Sequence, residues 1–140
     1  MNGPCSAAGL LAVLLVPLAA CSPEPAPAST YALPRVGVAM YSGRPDPWFT
    51  LTREQADALS ACRSTGTAKP TSQPPDGLGF RYFHVSGLEA APLLVGVDGA
   101  WLDQHGTPTP VALCAGGFSI LRTAAIRALG SDEAAGIPKA

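Results

Sequence analysis

Residues 9–20, GLLAVLLVPLAA, carry no charged side chain and end abruptly at Cys21. This run limits what the first part of the chain can become. A membrane span needs about 20 consecutive apolar residues, so the run is too short to cross a bilayer. It has the length of a secretory h-region, roughly 7–15 residues, and ends in the small residues that such a leader requires before its cleavage site. Residues 22–30, SPEPAPAST, then alternate proline with small polar residues. A stretch of that composition favours an extended, solvated chain and buries no core. Folding is therefore left to the chain from about residue 31 onward.

The residues that close the run are more specific. Leu18-Ala19-Ala20-Cys21 resembles the bacterial lipobox, in which leucine, two small residues and cysteine stand at the cleavage site of a lipoprotein leader. The chemistry requires each of them. A thiol accepts a diacylglycerol as a thioether, the small residues let an extended backbone enter a peptidase, and the new amino group can then be acylated. The resemblance implies that residues 1–20 are removed and that Cys21 is the lipidated first residue. Residues 21–30 then tether a domain to the bacterial cell envelope. Ser22, where a retention signal would place Asp, implies the outer membrane in a Gram-negative cell and otherwise the outer face of the cell membrane. One departure stands out: residues 1–9 contain no Lys or Arg, so the α-amino group alone supplies the usual positive charge. The alternatives are an ordinary signal peptide, or a buried helix with Cys21 incidental.

Charge narrows the possible partners. Nine basic and ten acidic residues are scattered through 140, for a net charge of −1, and no Lys/Arg run exists. A nucleic-acid footprint is therefore not expected, nor is a polybasic membrane patch. Cys5 lies in the leader, which leaves Cys62 and Cys114 in the exported part. Export places them in an oxidising compartment, where an even pair reads as a disulfide rather than a metal site or a free nucleophile.

Residues 32–42 begin with Val36, Val38 and Met40 at alternate positions, the pattern of a strand. Gly43-Arg44-Pro45-Asp46-Pro47 ends it. Thr52 with Gln55 three residues later is a capping box, and the helix at 53–63 sets Ala56, Leu59 and Cys62 along one side. Residues 64–77, STGTAKPTSQPPDG, read as a flexible, poorly ordered loop. Strands are expected at 78–86 and 92–97. Asp98-Gly99 signals a two-residue hairpin into a returning strand at 100–104, and Thr107-Pro108-Thr109-Pro110 reads as a break. A last helix at 118–129 turns Ile120, Leu121, Ala124, Ala125 and Leu129 inward and stops at Gly130. The expected organisation is leader 1–20, tether 21–30, one domain at 31–130 and a fraying tail at 131–140. The element order β-α-β-β-β-α suggests an α+β domain: a mainly antiparallel sheet with two helices on one face.

Tyr41-Ser42-Gly43-Arg44-Pro45-Asp46-Pro47-Trp48 is the most distinctive local string. It resembles a motif of small uncharacterised bacterial proteins, written roughly YSGRPNPxW and followed by a leucine and a helix. Here Asp46 replaces the Asn and Trp48 comes one residue early. Leu78-Gly79-Phe80-Arg81 is similar to a strand start in the same group, so the resemblance spans residues 36–83. It implies that the first strand, the loop and the helix form one unit, and it implies no activity. Two readings of the loop stay open. Trp48 can plug the core while Arg44 pairs locally with Asp46, or the stiff loop can present Arg44, Asp46 and Trp48 to a partner, since Arg and Trp are common anchors of binding sites.

Other chemistry is thin. His84 and His105, with Asp103 nearby, could be imagined around a metal, but they lack HxxxH, HExxH or CxxC spacing. GxSxG is absent, and Ala115-Gly116-Gly117 is too short for a dinucleotide loop. No catalytic residue and no cofactor can be named. The chain reads first as a lipid-anchored interaction or accessory protein of the envelope, contacting an envelope protein or other component through the Arg44–Trp48 loop. The alternatives are a small envelope hydrolase or metal-dependent enzyme using His84 or His105, and a purely structural lipoprotein.

Overall fold

Val36 and Val38 have no exposed surface, and their alternation along β1 (Arg35–Ala39) shows where the core lies. Side chains two apart on a strand share a face, so both valines point to the same side. The computed structural model describes residues 32–40, 43 and 45–139. The expected leader (1–20), Cys21 and the expected tether, and also Tyr41, Ser42 and Arg44, lie outside the described residues. The other strands are β2 (Trp48–Thr50), β3 (Tyr82–Ser86), β4 (Leu93–Val95), β5 (Ala100–Gln104) and β6 (Thr107–Val111). They form one six-stranded sheet in the order β2-β1-β3-β4-β5-β6, antiparallel at every pairing.

Register then sorts the side chains. Val38, Phe83, Val95, Ala100 and Val111 stand in one row across β1, β3, β4, β5 and β6. Phe49, Val36, Val85 and Leu93 make a second row on the same face. Two helices cover that face. The first, α1 (Arg53–Thr65), brings Ala56, Leu59 and Cys62; the second, α2 (Gly117–Leu129), brings Phe118, Leu121, Ala124 and Ala125. The expected α+β layering is the observed one. The capping box forms as well: Thr52 Oγ1 accepts from Gln55 N at 3.2 Å, and Gln55 Oε1 accepts from Thr52 N at 2.9 Å.

Two strands were hidden in the sequence. β2 has three residues, too few for a period, and follows directly on Pro47. β6 is the stretch TPTPV, expected as a break. Its prolines pair in register with Trp101 and Asp103, so they occupy alternate positions. Backbone N–H groups two residues apart on a strand point to the same edge, and β6 is the outermost strand. Both ring nitrogens can therefore face away from β5 without cost to the ladder. The β4–β5 connection also differs from the two-residue expectation: Val95 pairs with Ala100, and Gly96 N–H closes the turn on Gly99 O at 2.8 Å. The tight turn lies one hairpin later. Gln104 pairs with Thr107 around His105 and Gly106, with φ of 57° and 82°. Positive φ at both central residues marks the type I′ geometry that suits a twisted hairpin.

Two segments expected to be loose are packed. Residues 131–139 do not fray: Glu133–Gly136 is a 3₁₀ turn, and Ala134 and Ile137 are buried in the core. An apolar Ile137 seven residues beyond Gly130 supplies the burial that a polar tail lacks. The loop at 64–77 crosses the sheet on the face away from the helices. Trp101 on β5 is fully buried beneath it and donates its indole N–H to Ser72 O at 2.8 Å, while Pro70 sits against Gly99. A polar composition hid this because the apolar half of the contact belongs to Trp101.

Cys62 and Cys114 form a disulfide, with Cα atoms 4.9 Å apart. It joins the end of α1 to the lead-in of α2. Cys62 O accepts from both Cys114 N and Gly66 N at 3.1 Å, and Arg63 Nη1 donates to Ala112 O at 2.9 Å. For a loop closed across 52 positions the chain-entropy relation gives about 4 kcal/mol. Replacing both cysteines by alanine should lower unfolding free energy by about that much, measured by urea denaturation. A loss under about 1 kcal/mol would show that the hydrogen bonds around Cys62 hold the junction unaided.

Candidate functional site

The face of the sheet turned away from the helices is covered over β5 by the 64–77 loop and is more open over β1, β2 and β3. Trp48 stands on this open part. It pairs in register with Gly37, which pairs with His84, and the row continues through Leu94 to Trp101. The two tryptophans thus share one face with opposite fates. Trp101 is fully buried and Trp48 keeps 45% of its surface exposed.

Trp48 is held, not loose. Its ring lies directly over Gly37, where an added Cβ would come within 2.8 Å of the six-membered ring. Only glycine leaves room for this approach. His84 meets the indole edge-on, with ring centroids 5.6 Å apart, and the Arg35 guanidinium stands 5.4 Å from the Trp48 ring. Ser86 Oγ lies 3.3 Å from His84 Nδ1. The result is an aromatic–cationic surface on a rigid strand pair.

Of the three loop residues singled out in the sequence, the structure places two. Trp48 is not a core plug; Phe49 beside it takes the inward position. Strand parity decides this, because one residue of a pair must face out. Asp46 accepts from Met40 N–H at 3.1 Å and stands 4.0 Å from the Arg81 guanidinium, so it ties the loop to both flanking strands. Arg44 lies outside the described residues. Sequence reasoning missed Arg35, Gly37 and Ser86, which owe their role to register alone.

The two histidines are not brought together. His84 is at mid-strand in β3, and His105 is at the β5–β6 turn. Register sets them two strand spacings apart, about 10 Å, and a further four residues along the strand, about 13 Å. His105 has a structural place in the turn, where Asp103 Oδ1 accepts from Gly106 N–H at 2.8 Å. Among the described residues no group of three His, Cys, Asp or Glu side chains is placed to hold a metal. His84 and Ser86 form a hydrogen-bonded pair.

A groove of about 640 Å³ lies on the other side, lined by Thr50, Glu54, Ala58, Ile120, Ala124 and Arg127 among others. Ile120, expected to face the core, sits half-buried there. Its walls mix alanines and hydroxyls with the charged Glu54 and Arg127, and among the described residues no hydrogen bond or ion pair joins those two.

Compared with protein-family models, with curated proteins and with solved structures, the chain matches none.

The two tryptophans should answer differently to truncation. Trp101→Ala should cost about 3–5 kcal/mol, as for a buried large aromatic. Trp48→Ala should cost under about 1.5 kcal/mol, because the ring is half in water and loses mainly its stacking. Urea denaturation of both variants checks the order. Gly37→Ala should cost about 1 kcal/mol and swing the Trp48 ring outward, red-shifting its fluorescence. An unchanged spectrum would mean that the ring does not rest on Gly37.

Proposed function

We propose that the protein is an exported, lipid-anchored accessory protein of the bacterial cell envelope. Its contact surface is the open sheet face around Trp48. One observation carries the anchoring: an h-region-length apolar run ends in Leu18-Ala19-Ala20-Cys21, followed by a proline-rich stretch of tether composition. Ser22 after the cysteine directs it to the outer membrane where the cell has one. The disulfide supports export, since such bonds persist in oxidising compartments and are rare in the cytosol.

The contact surface rests on Trp48. A large aromatic with 45% of its surface in water, backed by Gly37 and flanked by Arg35 and His84, is pre-organised. Little side-chain freedom remains to be lost on binding, and Trp and Arg are the residues that most often dominate interfaces. Arg44, four residues before Trp48 in the sequence, is a further proposed contact residue. The resemblance of residues 36–83 to the YSGRPNPxW-bearing bacterial proteins supports reading loop, strand and helix as one unit.

Mass spectrometry of the protein from its native membrane should find Cys21 as first residue, carrying diacylglycerol. Cys21→Ser should release the protein, since acyl chains supply the membrane affinity at about 0.8 kcal/mol for each buried CH₂. A mature chain starting elsewhere, with an unmodified Cys21 thiol, would end the proposal.

A further inference from the structure

The open face lies where the described chain begins. Pro34 O accepts from Leu51 N–H at 2.9 Å, so the β1–β2 ladder runs on past Arg35. Leu33, two residues before Arg35, therefore falls on Arg35's side of the sheet, the side that carries Trp48. Leu33 and Trp48 are 39% and 45% exposed, and Arg35 is exposed between them in sequence register. Within β1, β2 and β3 Arg35 is the one Arg, Lys, Asp or Glu side chain. Asp46, two residues before β2, is engaged with Met40 N–H and Arg81.

The chain outside the described residues says what this face meets. Cys21 stands eleven residues before Ala32. Even fully extended, that length reaches at most about 40 Å. The chain enters the domain at Leu33 itself, so of the surfaces described this one is closest in chain length to the acylated cysteine. Tryptophan favours the membrane–water interface, and a basic side chain beside it meets lipid phosphates.

We propose that the Leu33–Arg35–Trp48 face lies against the bilayer that carries the anchor. Leu33 and the Trp48 rim enter the headgroup–acyl boundary, and Arg35 meets the phosphates. The sheet then lies over the lipid, and the helices and their groove face away from it. This deepens the contact-surface reading and rests on Cys21 acylation.

The test uses the full acylated protein in vesicles of mixed zwitterionic and anionic phospholipid, with bromine on the upper acyl carbons. Bromine quenches indole emission only at contact. Trp48 emission should be lost in brominated vesicles relative to plain ones, while Trp101, enclosed under the 64–77 loop, keeps emitting. Trp48→Phe should then emit equally in both. Wild-type emission that is equal in brominated and plain vesicles, and open to aqueous iodide, would overturn the proposal without need of any variant. The mass of Cys21 is read on the same sample. A missing acyl mass brings down the anchor and this face together; a correct acyl mass with unquenched Trp48 brings down this face alone.

Discussion

The Cys62–Cys114 bridge is the constraint on which the helical layer depends. α1 and α2 are far apart in sequence and must lie side by side on one sheet face. The bridge fixes the end of one to the start of the other, with Cys62 O accepting from both Cys114 and Gly66 N–H groups. Arg63 extends the junction to Ala112 O and, as an ion pair at 3.0 Å, to Glu89 on the β3–β4 connection. A domain of this size buries a modest fraction of its surface, so a covalent link within the folded state matters more than it would in a large core. Gly117 belongs to the same junction: a Cβ there would strike Leu113 and approach Cys62 Sγ.

The other face of the sheet is finished differently at its two ends. Over β5 the polar loop that follows α1 (66–77) closes on Trp101 and satisfies its indole N–H. Over β1–β2 no such cover exists among the described residues, and Trp48 itself forms the outer surface. The same residue type in the same cross-sheet row is thus a core anchor at one end and a surface feature at the other. Burial of the first stabilises the domain. Exposure of the second costs little, because Gly37, Arg35 and His84 hold the ring without hiding it.

This asymmetry suits a protein that meets its surroundings through one face. In the proposed anchoring the open end is also the end the tether enters. Chain connectivity, exposed apolar surface and positive charge then coincide at Leu33, Arg35 and Trp48. The helical face, with its groove lined by Ala58, Ile120 and Arg127 among others, lacks the chain entry that the open end has.

Much was legible in the sequence because it depends on local chemistry. The capping box at Thr52 and Gln55 needs four residues and no neighbours. The pairing of Cys62 with Cys114 follows from their being the cysteines that remain once the expected leader and Cys21 are set aside. Alternating valines and a helical stripe at Ala56, Leu59 and Cys62 give the layers. Tertiary structure decided the rest, because it turns on which strand lies next to which. TPTPV is a strand only where an outer edge leaves its proline nitrogens unopposed. The loop after α1 lies across the sheet because Trp101 beneath it offers an indole N–H to Ser72 O, and residues 131–139 pack because the core accepts Ala134 and Ile137. Trp48 faces out because Phe49 faces in. Its setting of Arg35, Gly37 and His84 arises from cross-strand register, which is a property of the assembled sheet and of no single segment.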